Sequence, residues 1–200
     1  MALITTSQAK DWLPGLSGSG SDTLLTALVS GVDAAFARWC GYPPASAGAA
    51  PTLEDVSYTR YLTGSGTRWL ALDVWPVQSV TSIEEDETLT WDGSTYLVDS
   101  GDYTLMEGRK LLLKATATHG LWSRTEGAIK AVFVAGFTAA PADLVVLAEQ
   151  AVRNWWDSRT VQGKQSTSQG GTSTTFRDED FLPPHVRRGL AAYRLPRALL

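Results

Sequence analysis

The sequence predicts an α+β fold, in which helices from both ends of the chain form a bundle with an antiparallel β module inserted between them. Three observations predict it. Apolar residues recur every three or four positions over 21–40 and 141–156, as in helices with one buried face. Between 53 and 137 the period falls to two and turn dipeptides recur. Of the 200 residues 44% are hydrophobic, against 18 Gly and 9 Pro, which supplies a core and excludes global disorder.

Each element has a local reason. A first short helix runs from Thr5 or Thr6 to Leu13 and ends at Pro14-Gly15. After a link at 15–20, Ser21 or Asp22 caps a second helix, because a side-chain oxygen there accepts first-turn N–H groups. Its apolar face is Leu25, Leu28, Val29, Val32, Phe36, Trp39 and Cys40; Gly41 and Pro43-Pro44 stop it. Residues 45–52 form a small-residue connector. Tyr58–Leu62 and Arg68–Val74 flank Gly64-Ser65-Gly66, which predicts a hairpin. Val77–Ile83, Thr88–Trp91, Tyr96–Val98, Tyr103–Met106, Lys110–Ala115 and Ala128–Phe137 read as further strands. Asp92-Gly93, Ser100-Gly101, Glu107-Gly108 and His119-Gly120 are the turns between them.

Pro141 and Asp143 open a third helix with Leu144, Leu147, Ala148, Ala151, Val152 and Trp155 on one face; Val145, Val146 and Trp156 widen it. The polar, low-complexity run 162–175 has too little apolar surface to offset its ordering entropy and is expected to be mobile. Phe181-Leu182-Pro183-Pro184 precede a last helix with Val186, Leu190 and Tyr193 aligned, interrupted at Pro196. The expected organisation is therefore N-terminal helices at 1–52, a β module at 53–137, a long core helix at 138–161, a flexible linker at 162–180 and a C-terminal docking helix at 181–200.

Composition removes several functions. One cysteine, Cys40, forms no internal disulfide and no cysteine zinc site. His119 and His185 are isolated from each other, which argues against a His-rich metal centre. A net charge of −4 gives no global drive toward DNA. The opening residues show neither a basic start nor a long apolar run, so no signal peptide is expected, and no stretch reaches membrane-spanning length. A reducing, cytosolic setting is expected.

Candidate chemistry is sparse. Glu84 to Glu87 is the densest carboxylate cluster, but it lacks the spaced ligands and central Gly of a calcium loop and reads as a solvated hairpin turn. Gly15 to Asp22 resembles a phosphate cradle only superficially: no Lys follows, no strand precedes, and Asp22 repels phosphate. Ser17 and Ser19 have no His partner by motif. A pair of hydrolytic carboxylates is spatial and stays open. Eight tryptophans leave a second open reading, a β module whose Trp69, Trp75, Trp91 and Trp122 stack on carbohydrate; core or interface packing is the commoner use of such side chains.

The C-terminal region carries the more specific signal. Residues 141–200 hold 8 basic and 6 acidic side chains, whereas 1–140 hold 9 and 15. From Phe181 onward Arg187, Arg188, Arg194 and Arg197 occur without an acid. A basic amphipathic helix behind a polar linker suits a docking arm, with arginines meeting a partner's acids. The same pattern also suits a helix packed on its own domain.

Four stretches in this order resemble the head–tail connector (adaptor, or head-completion) proteins of long-tailed double-stranded DNA bacteriophages and gene-transfer agents. They are Asp33–Tyr42 closing the helix pair; Tyr61–Leu72 followed by Trp75–Ile83; the strand Ala131–Phe137 running into Pro141-Ala142-Asp143-Leu144; and Leu182–Arg194. The match spans nearly the whole chain, and the segment from Glu84 to Glu126 departs most.

The resemblance implies a structural virion protein of the neck, made in the host cytoplasm, with no enzymatic activity and no cofactor or metal. It implies a homo-oligomeric ring of about twelve subunits, closed by head-to-tail contacts. That ring would bind the portal protein on one side and a downstream neck or tail protein on the other, with no membrane. DNA would pass through it without sequence-specific binding. The docking residues implied are Phe181, Leu182, Val186, Leu190, Tyr193 and Arg194, with Arg187 and Arg188 steering.

Overall fold

The structure is a computed structural model and describes residues 3–13, 16, 18–91, 97–118, 120–159, 166–169, 172–175 and 182–196. It has mixed helices and antiparallel sheets, and the chain divides into two compact units. One is helical, from 1–40 and 139–194; the other, from 41–138 and 195–200, holds the two main sheets.

In the helical unit, α1 (Thr6–Asp11) starts with a capping box. The Gln8 N–H donates to Thr5 Oγ1, and the Thr5 N–H donates to Gln8 Oε1. The second helix, α2 (Asp22–Cys40), buries Leu25, Val29, Val32, Phe36, Ala37 and Cys40, the face that its spacing predicts. Pro141 is the N-cap of α3 (Ala142–Ser158), with Asp143 in the first turn, where a carboxylate complements the helix dipole. Its buried residues are Leu144, Ala148, Glu149, Ala151, Val152 and Trp156. Leu13, Leu25 and Trp156 form one core cluster, joined by Leu16 and Leu28. A last short helix, α4 (Pro184–Leu190), packs on both α2 and α3. Strands β7 (Ser166–Gln169) and β8 (Thr172–Thr175) pair antiparallel, inside the stretch expected to be mobile.

The β unit has two three-stranded sheets. One has the order β1 (Val56–Leu62), β6 (Ile129–Ala135), β3 (Val77–Glu85). The other has β2 (Trp69–Ala71), β5 (Lys110–Leu113), β4 (Tyr103–Met106). Strand β6 is central to the first sheet and alternates strictly, with Ile129, Ala131, Phe133 and Ala135 inward. Gly136 follows it at φ +124°, and a Cβ there would lie 2.0 Å from Glu54 O. Only glycine lets the backbones approach this closely.

Four expectations are corrected. Tyr58–Leu62 and Arg68–Val74 do not form a hairpin: β1 pairs with β6, and the second run, shortened to β2, pairs with β5. The connecting residues are claimed elsewhere. Leu113 N–H donates to Arg68 O at 2.9 Å, and Trp122 N–H donates to Thr67 O at 3.0 Å. Thr88–Trp91 is a turn, and Leu97 makes a single bridge to Glu84; Tyr96, Asp92-Gly93 and His119 lie outside the described residues.

Nor is Glu84 to Glu87 a solvated hairpin turn, because Glu84 and Glu85 end β3 and Asp86 is 1% exposed. The Asp86 carboxylate accepts from the N–H and hydroxyl of Thr88, the N–H and hydroxyl of Thr90, and the Trp91 N–H, at 2.6–3.0 Å. The main-chain donors that a strand would spend on a neighbour converge on this carboxylate instead.

Candidate functional site

The C-terminal segment is placed by three local features. Pro183 and Pro184 open α4, where a proline's missing N–H costs nothing. Val186 and Leu190, four apart, share one face, and both are fully buried. Gly189 lets that face approach α3: a Cβ there would meet Leu147 Cδ1 at 2.6 Å. Of the two readings open for this helix, its apolar face thus packs on the chain's own helices, and Leu182 is buried with it.

The polar predicted residues lie around this anchor. Tyr193, in the 3-10 turn Ala191–Tyr193, donates its hydroxyl to Asp143 at 2.6 and 2.5 Å from the two carboxylate oxygens. Arg187 Nε donates to Leu182 O at 2.7 Å. The guanidinium carbons of Arg187 and Arg194 stand 5.5 and 5.4 Å from the centroid of the Trp39 ring, within cation–π range. Arg188 and Arg194 are exposed. Phe181 lies outside the described residues.

Sequence reasoning missed Trp39 and Asp143 as partners of this segment. A face pattern identifies which side of a helix is apolar but not which distant residues it meets.

No reactive group is evident at this site. Cys40 donates its thiol to Leu190 O at 3.8 Å, and burial pushes that thiol up to about 12 against a smaller opposing pull from Arg194. Such a thiol is protonated at neutral pH and is no nucleophile. Burial also pushes the Tyr193 hydroxyl up to about 12, with the hydrogen bond to the Asp143 carboxylate adding to it. Among the described residues no group of three His, Cys, Asp or Glu side chains is placed to hold a metal ion. Among those residues, too, no helix is long and apolar enough to cross a membrane.

The four strand-region tryptophans do not share one role. Trp122 is 1% exposed and donates its indole N–H to Arg68 O at 3.1 Å. Trp75 lies under Arg109, with the guanidinium 4.1 Å from its ring, and Trp69 under Lys110 at 5.5 Å. Trp91 meets the edge of Tyr61 at 5.2 Å, with Lys130 at 6.0 Å. Each of these three rings has a cation within cation–π range.

No curated protein matches the chain. Among solved structures, a chain in the virion of a native gene transfer agent particle is 16% identical, with a TM-score of 0.57. That match covers 98% of this chain and 92% of the other. A chain in the neck of an empty gene transfer agent particle, computed with C6 symmetry, is 18% identical, with a TM-score of 0.58 and the same coverage. One in the neck of the native particle, computed with C12 symmetry, is 16% identical, with a TM-score of 0.54, covering 97% of this chain and 90% of that one. These likenesses establish a shared fold. The family model described as "Head completion protein" matches residues 2–195, so the chain belongs to the head completion protein family.

Proposed function

We propose that this chain is a non-enzymatic structural protein of a phage-like particle's neck, made in the host cytoplasm. It assembles into a ring of about twelve subunits that joins the portal to the tail or neck and extends the DNA channel. The observation that carries this reading is the family match from residue 2 to 195. Fold likeness to chains of gene transfer agent necks, two of them computed with C6 and C12 symmetry, supports a ring, since those symmetries require multiple copies.

Portal docking falls to the C-terminal segment: Phe181, Leu182, Val186, Arg187, Arg188, Leu190, Tyr193 and Arg194. Within this set the roles divide. Val186 and Leu190 fix the segment to the helical unit, while Arg188 and Arg194 are exposed to a partner. The segment 162–180 links this docking element to the long helix. The ring's other side meets a downstream neck or tail protein, and DNA passes without sequence-specific contact.

The test is native mass spectrometry and electron microscopy of the protein alone and mixed with portal rings. A ring of many copies seated on the portal is expected. A chain that stays monomeric and never joins the portal would overturn the reading.

A further inference from the structure

The outward face of the sheet β2-β5-β4 is apolar where water favours polar side chains. Register puts Trp69, Leu112 and Thr104 in one row across it, and Ala71, Lys110 and Met106 in the next. The opposite face carries Leu70, Leu111, Leu113 and Tyr103, all buried, so these two rows look outward. Trp69 is 43% exposed and Met106 39%. A wet face of an antiparallel sheet is ordinarily polar, and a Trp, Leu, Ala and Met cluster there marks a contact surface. Lys110 lies over Trp69 and Arg109 over Trp75, and among the described residues neither makes an ion pair. Glu107, in the turn between β4 and β5, pairs with neither.

The outward face of the other sheet has the complementary character. One row across it runs Tyr61, Lys130, Glu84, Leu97. Tyr61 and Leu97, at its ends, are exposed, and Trp91 packs edge-on against Tyr61. Lys130 is taken by Glu84 at 3.1 Å. Three residues past Glu84, Glu87 is exposed; Ser123 Oγ donates to one of its oxygens, and among the described residues no cation meets it.

We infer that neighbouring copies of this chain meet through their β units, the Trp69–Met106 face of one seated on the Tyr61–Leu97 row of the next, with Lys110 reaching Glu87. This rests on the ring reading and deepens it. A closed ring needs two different patches on each subunit, and these lie on the outward faces of two different sheets. Their charges are opposite and both are rimmed by aromatic side chains, as subunit contacts commonly are. The Trp69 face meeting itself would instead bring the unpaired Lys110 and Arg109 of two copies together.

The test uses the full chain, alone and with portal rings, read by native mass spectrometry and electron microscopy. Trp69→Ala and Lys110→Glu should each raise the concentration for half assembly at least about tenfold. Glu87→Lys should do the same from the other side. Combining Lys110→Glu with Glu87→Lys in one chain restores opposite charges across the contact and should recover rings. All are surface changes, and an unchanged unfolding temperature confirms that each chain is folded. If wild-type protein forms rings and Trp69→Ala and Lys110→Glu form them equally well, the inference is overturned and the ring reading stands. A charge-swapped chain that assembles no better than Lys110→Glu also overturns it. Variant rings that form normally but no longer bind the downstream neck protein would overturn it in favour of that protein. Wild-type protein that gives no multi-copy assembly, alone or on portal rings, overturns the ring reading and this inference together.

Discussion

The Tyr193 hydroxyl donates to both carboxylate oxygens of Asp143, at 2.6 and 2.5 Å, although the two residues are 50 positions apart. This bond ties the turn after α4 to the first turn of α3. Because the site is partly open to solvent, Tyr193→Phe should cost about 1 kcal/mol, below the range for a sheltered charged hydrogen bond. Denaturant unfolding would measure it. The pH dependence has a definite sign. The phenol is raised above its ordinary value of 10.0 to about 12, so its contribution is complete below pH 10 and is lost as pH rises through 12. Tyr193→Phe should lack that alkaline phase; an unchanged profile would remove the bond from the account.

Leu190 is fully buried, so the C-terminal segment is part of the core as well as a docking element. Leu190→Ala should destabilise the protein by about 3 kcal/mol. Deleting residues 177–200 removes Val186 and Leu190 together and should lower thermal stability further. A truncated chain with an unchanged unfolding temperature would contradict the packing of α4.

Gly136→Ala tests the junction after β6. The new methyl would collide with Glu54 O at a φ of +124°, where no other residue is comfortable. A loss of about 3 kcal/mol is expected, since both strain and steric clash enter. Chemical denaturation would reveal it as a lower midpoint.

Asp86 should act as an acid-sensitive staple. Burial alone would raise its carboxyl, but hydrogen bonds from Thr88, Trp91 and Thr90 outweigh that and hold it well below the usual 3.8. Its stabilisation is therefore present above pH 3.8 and is lost as pH falls through the depressed value. Asp86→Ala should free the 86–91 turn at neutral pH, read as faster amide exchange at Thr88, Thr90 and Trp91. If those amides stay protected in the variant, other contacts hold the turn.

Much of the fold was legible because helices report on themselves. The three-and-four spacing of Leu25, Val29, Val32 and Phe36 selects the face that is buried, and Pro141 with Asp143 marks where α3 starts. Strand pairing was not legible. Tyr58–Leu62 and Arg68–Val74 have good strand composition, but alternation carries no information about the partner, and both pair with residues far downstream. Thr88 to Trp91 favours a strand by propensity, and one buried carboxylate two residues earlier overrides it. At the candidate site, the basic amphipathic character of 182–194 was plain from the sequence. Its neighbours Trp39 and Asp143 were not, because neither shares a local pattern with it.

The division of the chain also sets an order of events during synthesis. Every strand of the two three-stranded sheets lies within 56–135, so both sheets have all their strands before α3 is made. The helical unit is different. Cys40 meets Leu190 across 150 positions, a contact whose loop closes only when the second partner has left the ribosome. Until then the apolar stripe of α2 waits without its last cover. The helical unit is thus completed only once residue 190 has been made.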